Sequence, residues 1–307
     1  MGREYTAEIG HKLGWDLAHY GWDPREDADN DVIEGHKAGT AHFGGRRKAP
    51  DRFERKWLQL RQSALRRGRV VDESVTPEFI ASIDHPICPV TLVEMTHSTR
   101  LDTDWSVDRV NNHGAYADGN LVIMSVRANR AKDRKVYWEV ARIAEEKCDQ
   151  DGLTAKEWGR LKCIMLGACN TGGTLAGEFP LLTRVPNRCA RPPYYQLQHI
   201  AMLLAGAKST VRNGCIRELN RVQPDASSAA LLQLAIERLA ALLKTVDYKY
   251  DACADSSFQS KLGRWVARIP AANHIAYKKT LLSMAGGEHL STGTVGNWSL
   301  ASGGYFV

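Results

Sequence analysis

The segment from residue 104 to residue 135, DWSVDRVNNHGAYADGNLVIMSVRANRAKDRK, constrains the fold of this chain more than any other. Residues 105–110 alternate in polarity, which predicts a strand, and residues 120–125 predict a second strand. Residues 111–119 between them are polar and contain glycine, which predicts a loop. Residues 128–146 have the apolar spacing of a helix. We therefore expect strand, loop, strand and helix within about 40 residues.

Three oxygen-bearing side chains fall at the junctions of these elements. Asp108 lies near the end of the first strand, Asn120 opens the second, and Asn129 lies in the first turn of the helix. Carboxylate and amide oxygens suit Mg²⁺, which keeps several waters and takes few protein ligands together with a phosphate. Capping of turns and helices would explain any one of the three alone. Their combined spacing, next to a basic group, favours a site. The basic residues beside Asn129 are Arg127, Arg130 and Lys132.

The positive charge of the chain is concentrated in residues 46–69. This segment holds ten basic and two acidic residues, a surplus of eight positive charges, whereas the net charge of the whole chain is +6. Such a segment gains affinity for phosphates by releasing counterions, although a solvated helix face often carries similar runs of charge. The residues of this segment that we expect to contact nucleic acid are Arg52, Arg55, Lys56, Arg66 and Arg67.

Within the same segment, residues 51–67 predict an amphipathic helix. Phe53, Trp57, Leu60 and Ala64 recur at helical spacing on one face. An aromatic stripe of this kind is more typical of core packing than of base stacking.

The rest of the chain predicts an α+β protein in which a small ββα element is embedded in helices. We expect a short helix at residues 76–83, helices at residues 195–208 and 227–244, and a long loop between residues 167 and 193. Four regions are expected: a helical N-terminal region (residues 1–75) with the basic helix 51–67, a ββα domain (residues 76–147), a helical C-terminal region (residues 148–285) and a flexible Gly/Ser-rich tail (residues 286–307).

Composition excludes several classes of protein. No stretch approaches the roughly 18 consecutive apolar residues of a membrane span, and the start of the sequence has no secretory pattern, so we expect a cytoplasmic protein without a membrane partner. The seven cysteines form no CxxC pair. Reduced thiols are therefore expected, and no structural zinc.

The ββα segment resembles the HNH (His-Me finger, ββα-metal) endonuclease motif, in its phage and bacterial subgroup. The resemblance covers residues 80–147, under a quarter of the chain. The matching elements are Cys88-Pro89-Val90, Ser106-Val107-Asp108-Arg109-Val110, Gly114 to Gly119-Asn120, and Arg127-Ala128-Asn129-Arg130-Ala131-Lys132.

This resemblance implies a metal-dependent endonuclease or nickase that hydrolyses DNA phosphodiester bonds in a phage or mobile-element setting, with RNA left open as a partner. Asp108 and Asn129 would bind the metal, Mg²⁺ or alternatively Mn²⁺. Asn120 would hold the loop that aims the general base at the scissile phosphate.

The sequence departs from the family pattern at Arg109, which stands where the family has its general-base histidine. Arginine cannot accept a proton near neutral pH. The base would then be His113 or His97, or the metal alone would activate water, with Arg109 clamping the phosphate. The alternative function is a catalytically weakened nucleic-acid-binding protein on the same scaffold. A third hypothesis, an interaction protein built on the C-terminal helices, rests only on their apolar residues.

Overall fold

The computed structural model describes residues 2–45, 47–169, 193–222, 225–285 and 295–307. The protein belongs to the predicted α+β class, with about 59% of its residues in helices and a small two-stranded antiparallel sheet.

The chain forms two compact units. The first unit comprises residues 1–86, 106–123 and 292–307, and the second comprises residues 87–105 and 124–291. Each unit is therefore discontinuous in sequence. The predicted regional boundaries at residues 75, 147 and 285 differ from this division.

The first unit contains the helices of the N-terminal part of the chain and most of the sheet. Its core includes Leu13, Leu17, Val32 and Leu58, which come from three of these helices. The elements are α1 (Gly2–His19), α2 (Asn30–Phe43), α3 (Arg52–Arg66), α4 (Pro77–Ser82), β1 (Trp105–Arg109) and β2 (Leu121–Ser125).

Helix α3 begins where the sequence provides a reciprocal cap. The Asp51 side chain accepts hydrogen bonds from the N–H groups of Phe53 and Glu54, both at 2.8 Å, and the Glu54 carboxylate accepts from the Asp51 N–H at 2.8 Å. Two N–H groups that the helix leaves without partners are thereby satisfied. The predicted helix 51–67 is confirmed, but Leu58 and Glu54 join Leu60 and Ala64 in the buried set, while Phe53 is only half-buried.

The second unit is helical. Its C-terminal portion has one apolar core that includes Phe258, Leu262 and Trp265. Helices α8 and α10 correspond to the predicted helices 195–208 and 227–244, whereas most of the predicted loop 167–193 lies outside the described residues. The helices are α5 (Val126–Lys132), α6 (Tyr137–Glu146), α7 (Ala155–Cys169), α8 (Pro193–Ala205), α9 (Ser209–Asn220), α10 (Ala226–Leu242), α11 (Ser256–Ala267) and α12 (His274–Ala285).

The single helix predicted over residues 128–146 is wrong, because α5 and α6 are separate. Asp133 takes a left-handed conformation (φ +45°), and its N–H closes on the Asn129 carbonyl, which ends α5. The α6 helix starts afresh, with the Val136 N–H held by the Glu139 carboxylate at 2.8 Å. A reversal of the sign of φ at a non-glycine residue is not visible as a break in apolar periodicity.

The predicted flexible tail is also wrong for residues 295–307, which are folded within the first unit. Trp298 is completely buried. The Val70 N–H donates to the Gly304 carbonyl at 2.9 Å, and the Phe306 N–H donates to the Gly68 carbonyl at 2.9 Å. Residues 286–294 lie outside the described residues. Residues 295–307 therefore make specific main-chain hydrogen bonds, which their Gly/Ser-rich composition did not indicate.

A search of the described helices found none with the length and apolar character needed to cross a membrane.

Candidate functional site

Asp108 and the loop that follows it lie in the first unit. Asp108 is half-buried near the end of β1, and the chain then turns through residues 110–119 into β2. The strands therefore place one carboxylate at the base of a short hairpin loop. The sequence-predicted residues Arg109, His113 and Asn120 belong to the same hairpin.

Asn120 holds this loop from inside. It is completely buried, and its amide nitrogen donates to the carbonyls of Asn111 at 3.0 Å and Ala115 at 2.8 Å. Its amide oxygen accepts from the Asn111 N–H at 2.7 Å. Since both ends of the carboxamide are used by main-chain groups, Asn120 acts as a clamp on the loop and not as a metal ligand.

Close packing around Asn120 requires glycine at position 114. A Cβ on Gly114 would lie 2.7 Å from Asn120 Nδ2. Gly304 of the C-terminal segment packs against the same residue, since a Cβ there would lie 2.5 Å from the carbonyl carbon of Gly114. A side chain at position 304 would displace main-chain atoms, and one at position 114 would displace the carboxamide of Asn120.

Arg109 holds the loop from the other side. Its guanidinium donates to the carbonyls of Asn112 at 3.0 Å and Gly114 at 2.8 Å, and lies 5.1 Å from the centre of the Tyr116 ring. The side chain is only 8% exposed. These contacts make Arg109 a positioning residue for the loop, and its role as a clamp on the phosphate stays a prediction.

His113 lies exposed on this clamped loop. Its N–H donates to the Asn111 side chain at 2.9 Å, and its neighbours in the loop are fixed by Asn120 and Arg109. The imidazole therefore projects from a well-defined main chain. His97, the other candidate base, is exposed in the second unit, with its ring against the edge of Trp105.

The C-terminal segment completes the support of the loop. The Ala115 N–H donates to the Trp298 carbonyl at 2.6 Å, and the Trp298 indole N–H donates to the Asp118 carbonyl at 2.7 Å. The loop is therefore bonded at residues 111, 112, 114, 115 and 118, from the strands and from a distant segment. Nothing in the local sequence of the hairpin signals this partner.

In the second unit, the start of α5 is fixed by Cys88 and Ser125. The Cys88 sulfur accepts from the N–H groups of Thr91 at 3.4 Å and Ser125 at 3.3 Å. The Ser125 hydroxyl in turn accepts from the Ala128 N–H at 3.3 Å, which caps the helix. Cys88 is therefore a buried thiol that organises the main chain.

The basic residues of α5 have different environments. Lys132 is completely buried, so the expectation that it contacts nucleic acid is wrong. Arg127 forms an ion pair with the buried carboxylate of Glu157, which links α5 to α7 within the second unit. Arg130 is exposed and pairs with exposed Asp102 at 3.0 Å. Asn129, the second predicted metal ligand, is half-buried in the same helix.

In the loop before β1, the Asp104 carboxylate accepts several hydrogen bonds. Asp104 accepts hydrogen bonds from the hydroxyls of Thr96 and Thr99, both at 2.7 Å, and from the Arg100 N–H at 2.7 Å. Burial raises the pKa of Asp104, but these hydrogen bonds outweigh burial and lower it to about 2. Asp104 is therefore charged near neutral pH, and its carboxylate holds the loop together through these hydrogen bonds.

Acidic residues from outside the basic segment neutralise much of its charge. Arg52 pairs with Asp84 at 2.7 Å, and Arg66 lies 3.8 Å from Asp27. Arg55 is exposed and donates to the Asp51 carbonyl at 3.3 Å, while Lys56 is half-buried. Arg61 also pairs with a carboxylate from outside the segment, that of Asp16, whereas Lys48 pairs with Glu54 inside it. The surplus of eight charges counted from sequence therefore overstates the positive field of α3.

Arg67 and Arg69 behave differently, because their partners are neutral. Arg67 donates to the Tyr116 hydroxyl at 2.7 Å, and Arg69 donates to the Tyr305 hydroxyl at 2.5 Å. No local signal in the sequence marks Arg69 as a site residue, since its neighbour Tyr305 is more than 200 residues away.

The second unit contains a separate cavity of about 1250 Å³. Arg160 at its wall holds Asp251 through two hydrogen bonds, of 3.1 and 2.7 Å. None of the sequence-predicted site residues lines it.

Within the described residues, no three histidine, cysteine, aspartate or glutamate side chains are grouped closely enough to hold a metal ion. The chain matches no protein-family model, and neither the curated proteins nor the solved structures contain a detectable relative of it.

Proposed function

We propose that this protein is a metal-dependent endonuclease or nickase of the HNH type that hydrolyses phosphodiester bonds in DNA. The single observation that carries the proposal is the hairpin of the first unit, in which a half-buried Asp108 precedes a loop clamped by the carboxamide of Asn120. This clamp preorganises the residues that the loop carries.

A divalent metal fits the chemistry of Asp108. A carboxylate is a hard oxygen donor, and Mg²⁺ often takes only one or two protein carboxylates and completes its shell with water and phosphate oxygens. When bound, such an ion would polarise the phosphodiester as a Lewis acid. Asn129 belongs to the other unit, and its role as a ligand stays a prediction.

His113 is the best candidate for the general base in the first unit. It is exposed, it lies five residues after Asp108, and its loop is fixed on both sides. A positioned imidazole can take a proton from water near neutral pH. The alternative is that the metal activates water without a protein base, and the experiment must distinguish this from proton transfer to His113.

Nicking of supercoiled plasmid in Mg²⁺, in Mn²⁺ and in EDTA tests the proposal. We expect metal-dependent nicking that is lost in Asp108→Asn and retained in the matched control Asp23→Asn, whose side chain is 92% exposed. His113→Ala should slow nicking by about 10²–10⁴-fold if the imidazole is the base. The control for that variant is His11→Ala, at an exposed position of α1. Unchanged nicking in His113→Ala would favour metal-activated water.

The second candidate function is a nucleic-acid-binding protein without catalysis. It is favoured by Arg109, which occupies the place of the family's base and is engaged with the loop carbonyls. This alternative predicts no nicking with any metal, together with DNA binding that weakens in salt and is unchanged in Asp108→Asn. That combination of results would overturn the nuclease proposal.

A further inference from the structure

Three arginines of the first unit gather around two tyrosine rings. The guanidinium carbon of Arg69 lies 3.4 Å from the centre of the Tyr305 ring. Those of Arg109 and Arg67 lie 5.1 and 6.0 Å from the centre of the Tyr116 ring. Arg67 comes directly after α3, Arg69 follows it, and Arg109 ends β1, so separate stretches of the sequence and the C-terminal segment build this cluster.

None of these three arginines pairs with a carboxylate among the described residues. Their acceptors are the Tyr116 and Tyr305 hydroxyls and the carbonyls of Ser63, Gly303, Asn112 and Gly114. The arginines within α3, by contrast, mostly have acidic partners. Three adjacent positive charges with neutral partners leave an electrostatic cost that an anion would remove.

Burial makes this cost larger at Arg109. Its side chain is more than nine-tenths buried, and its Nε has no hydrogen-bond partner within the described portion of the chain. Desolvation and the neighbouring charge of Arg109 lower the pKa of Arg69. Buried guanidinium N–H groups normally find an acceptor, so an oxygen acceptor beside this Nε–H would be stabilising.

We propose that Arg67, Arg69 and Arg109, with the hydroxyls of Tyr116 and Tyr305, form a binding site for a phosphate group of a nucleic-acid backbone. The planar fork of arginine matches the oxygens of a phosphate. Each tyrosine hydroxyl accepts an arginine N–H and keeps its own hydrogen to donate to the phosphate. The assignment to a backbone phosphate rests on the proposed function.

The phosphate bound here is a flanking one and not the reacting one. Successive side chains of a strand point to opposite faces, so Arg109 faces away from Asp108, the residue before it in β1. The cluster therefore sets the register of the nucleic acid on the protein and takes no part in the chemical step.

The test measures the salt dependence of binding of the full-length protein to a fluorescent DNA duplex in EDTA. We expect the slope of log K against log[NaCl] to fall by about 1 in the Arg67→Gln/Arg69→Gln double variant, because the site neutralises one phosphate, and by less than that in each single variant. The double variant with lysine at both positions keeps the charges and should keep most of the slope. The matched control is Arg142→Gln, an exposed arginine that pairs with Glu146 in the second unit.

The Gln double variant also controls for folding, because Arg69 contacts the C-terminal segment. A lower melting temperature with an unchanged salt slope would show that the arginines only support the fold, and would overturn the proposal while leaving the nuclease proposal intact.

A second measurement applies if the wild-type protein binds no duplex. That absence of binding would overturn the proposed function. Inorganic phosphate should then raise the melting temperature of the wild-type protein above that in NaCl of equal ionic strength, and the Gln double variant should lose this rise. That result would retain the cluster as a site for free phosphate. The absence of any rise would overturn it.

Discussion

The indole N–H of Trp298 donates a hydrogen bond of 2.7 Å to the main-chain carbonyl of Asp118, across 180 residues of sequence. The Trp298 carbonyl accepts from the Ala115 N–H at 2.6 Å, so both ends of one residue bond the same hairpin loop. The loop that carries His113 is therefore part of a structure that the hairpin cannot form alone.

Trp298→Ala should lower the free energy of unfolding by about 3–5 kcal/mol, because it removes a completely buried aromatic side chain and leaves a cavity. Trp298→Phe keeps most of the volume and loses the indole hydrogen bond, at a cost of about 1–2 kcal/mol. Urea unfolding followed by far-UV circular dichroism measures both. The control is Val307→Ala, at a side chain that is 93% exposed. A cost no greater than that of the control would contradict the role of this segment.

Asn120→Ala should destabilise the first unit by about 2–4 kcal/mol, because it leaves buried main-chain groups of Asn111 and Ala115 without partners. Under the proposed function, nicking should also fall in the fraction that remains folded. Asn213→Ala, at an exposed position of α9, is the matched control for the stability measurement. Normal stability and nicking in Asn120→Ala would show that the loop keeps its shape without the clamp.

Gly114→Ala should cost about 1–3 kcal/mol, because the added Cβ would lie 2.7 Å from Asn120 Nδ2 in a well-packed region. Gly159→Ala is a stringent comparison, since that glycine lies within α7 with open space around it. That substitution should stabilise the protein by about 0.5–1 kcal/mol. Thermal melting of the two variants should therefore give shifts of opposite sign, and equal shifts would contradict the packing argument.

Asp104 should stabilise the protein in a pH-dependent way. Its pKa is about 2 in the folded protein and about 3.9 in the unfolded chain. A group whose pKa falls on folding contributes stability above its unfolded pKa and loses it as the pH falls through the folded value. Solvent screening at this half-buried position limits the contribution to about 1 kcal/mol.

The comparison is between the wild-type protein and Asp104→Asn, unfolded in urea at pH 7 and at pH 2. The wild-type protein should be the more stable at pH 7, and the difference should shrink as the pH falls from about 4 to about 2. Asp102→Asn, at an exposed carboxylate nearby, is the control substitution. A constant difference across this range would mean that the hydrogen bonds of Asp104 do not favour its charged form.

Local sequence signals predicted the elements around the site well. The strands β1 and β2 and the helices α3 and α4 begin and end within about a residue or two of the predicted bounds. Alternation of polarity and helix-capping residues such as Asp51 and Thr76 act within a few residues, so they can be read from the chain directly.

The features that local sequence signals did not reveal depend on distant partners. The charges of Arg52 and Arg66 are balanced by Asp84 and Asp27, which lie outside the basic segment. The burial of Lys132 likewise cannot be read from its spacing within α5. A sequence pattern identifies which residue types are available, but tertiary packing decides which of them reach solvent or a ligand.

The bond between Trp298 and Asp118 also sets an order of events during synthesis. At typical rates of translation, the 180 residues between them take roughly 10–40 s to be made. Throughout that interval the nascent chain carries Asp108 and His113 on a loop that still lacks its last partner. Under the proposed function, we expect an unfinished chain to cut nucleic acid less efficiently than the complete one, because its loop lacks the two hydrogen bonds to Trp298.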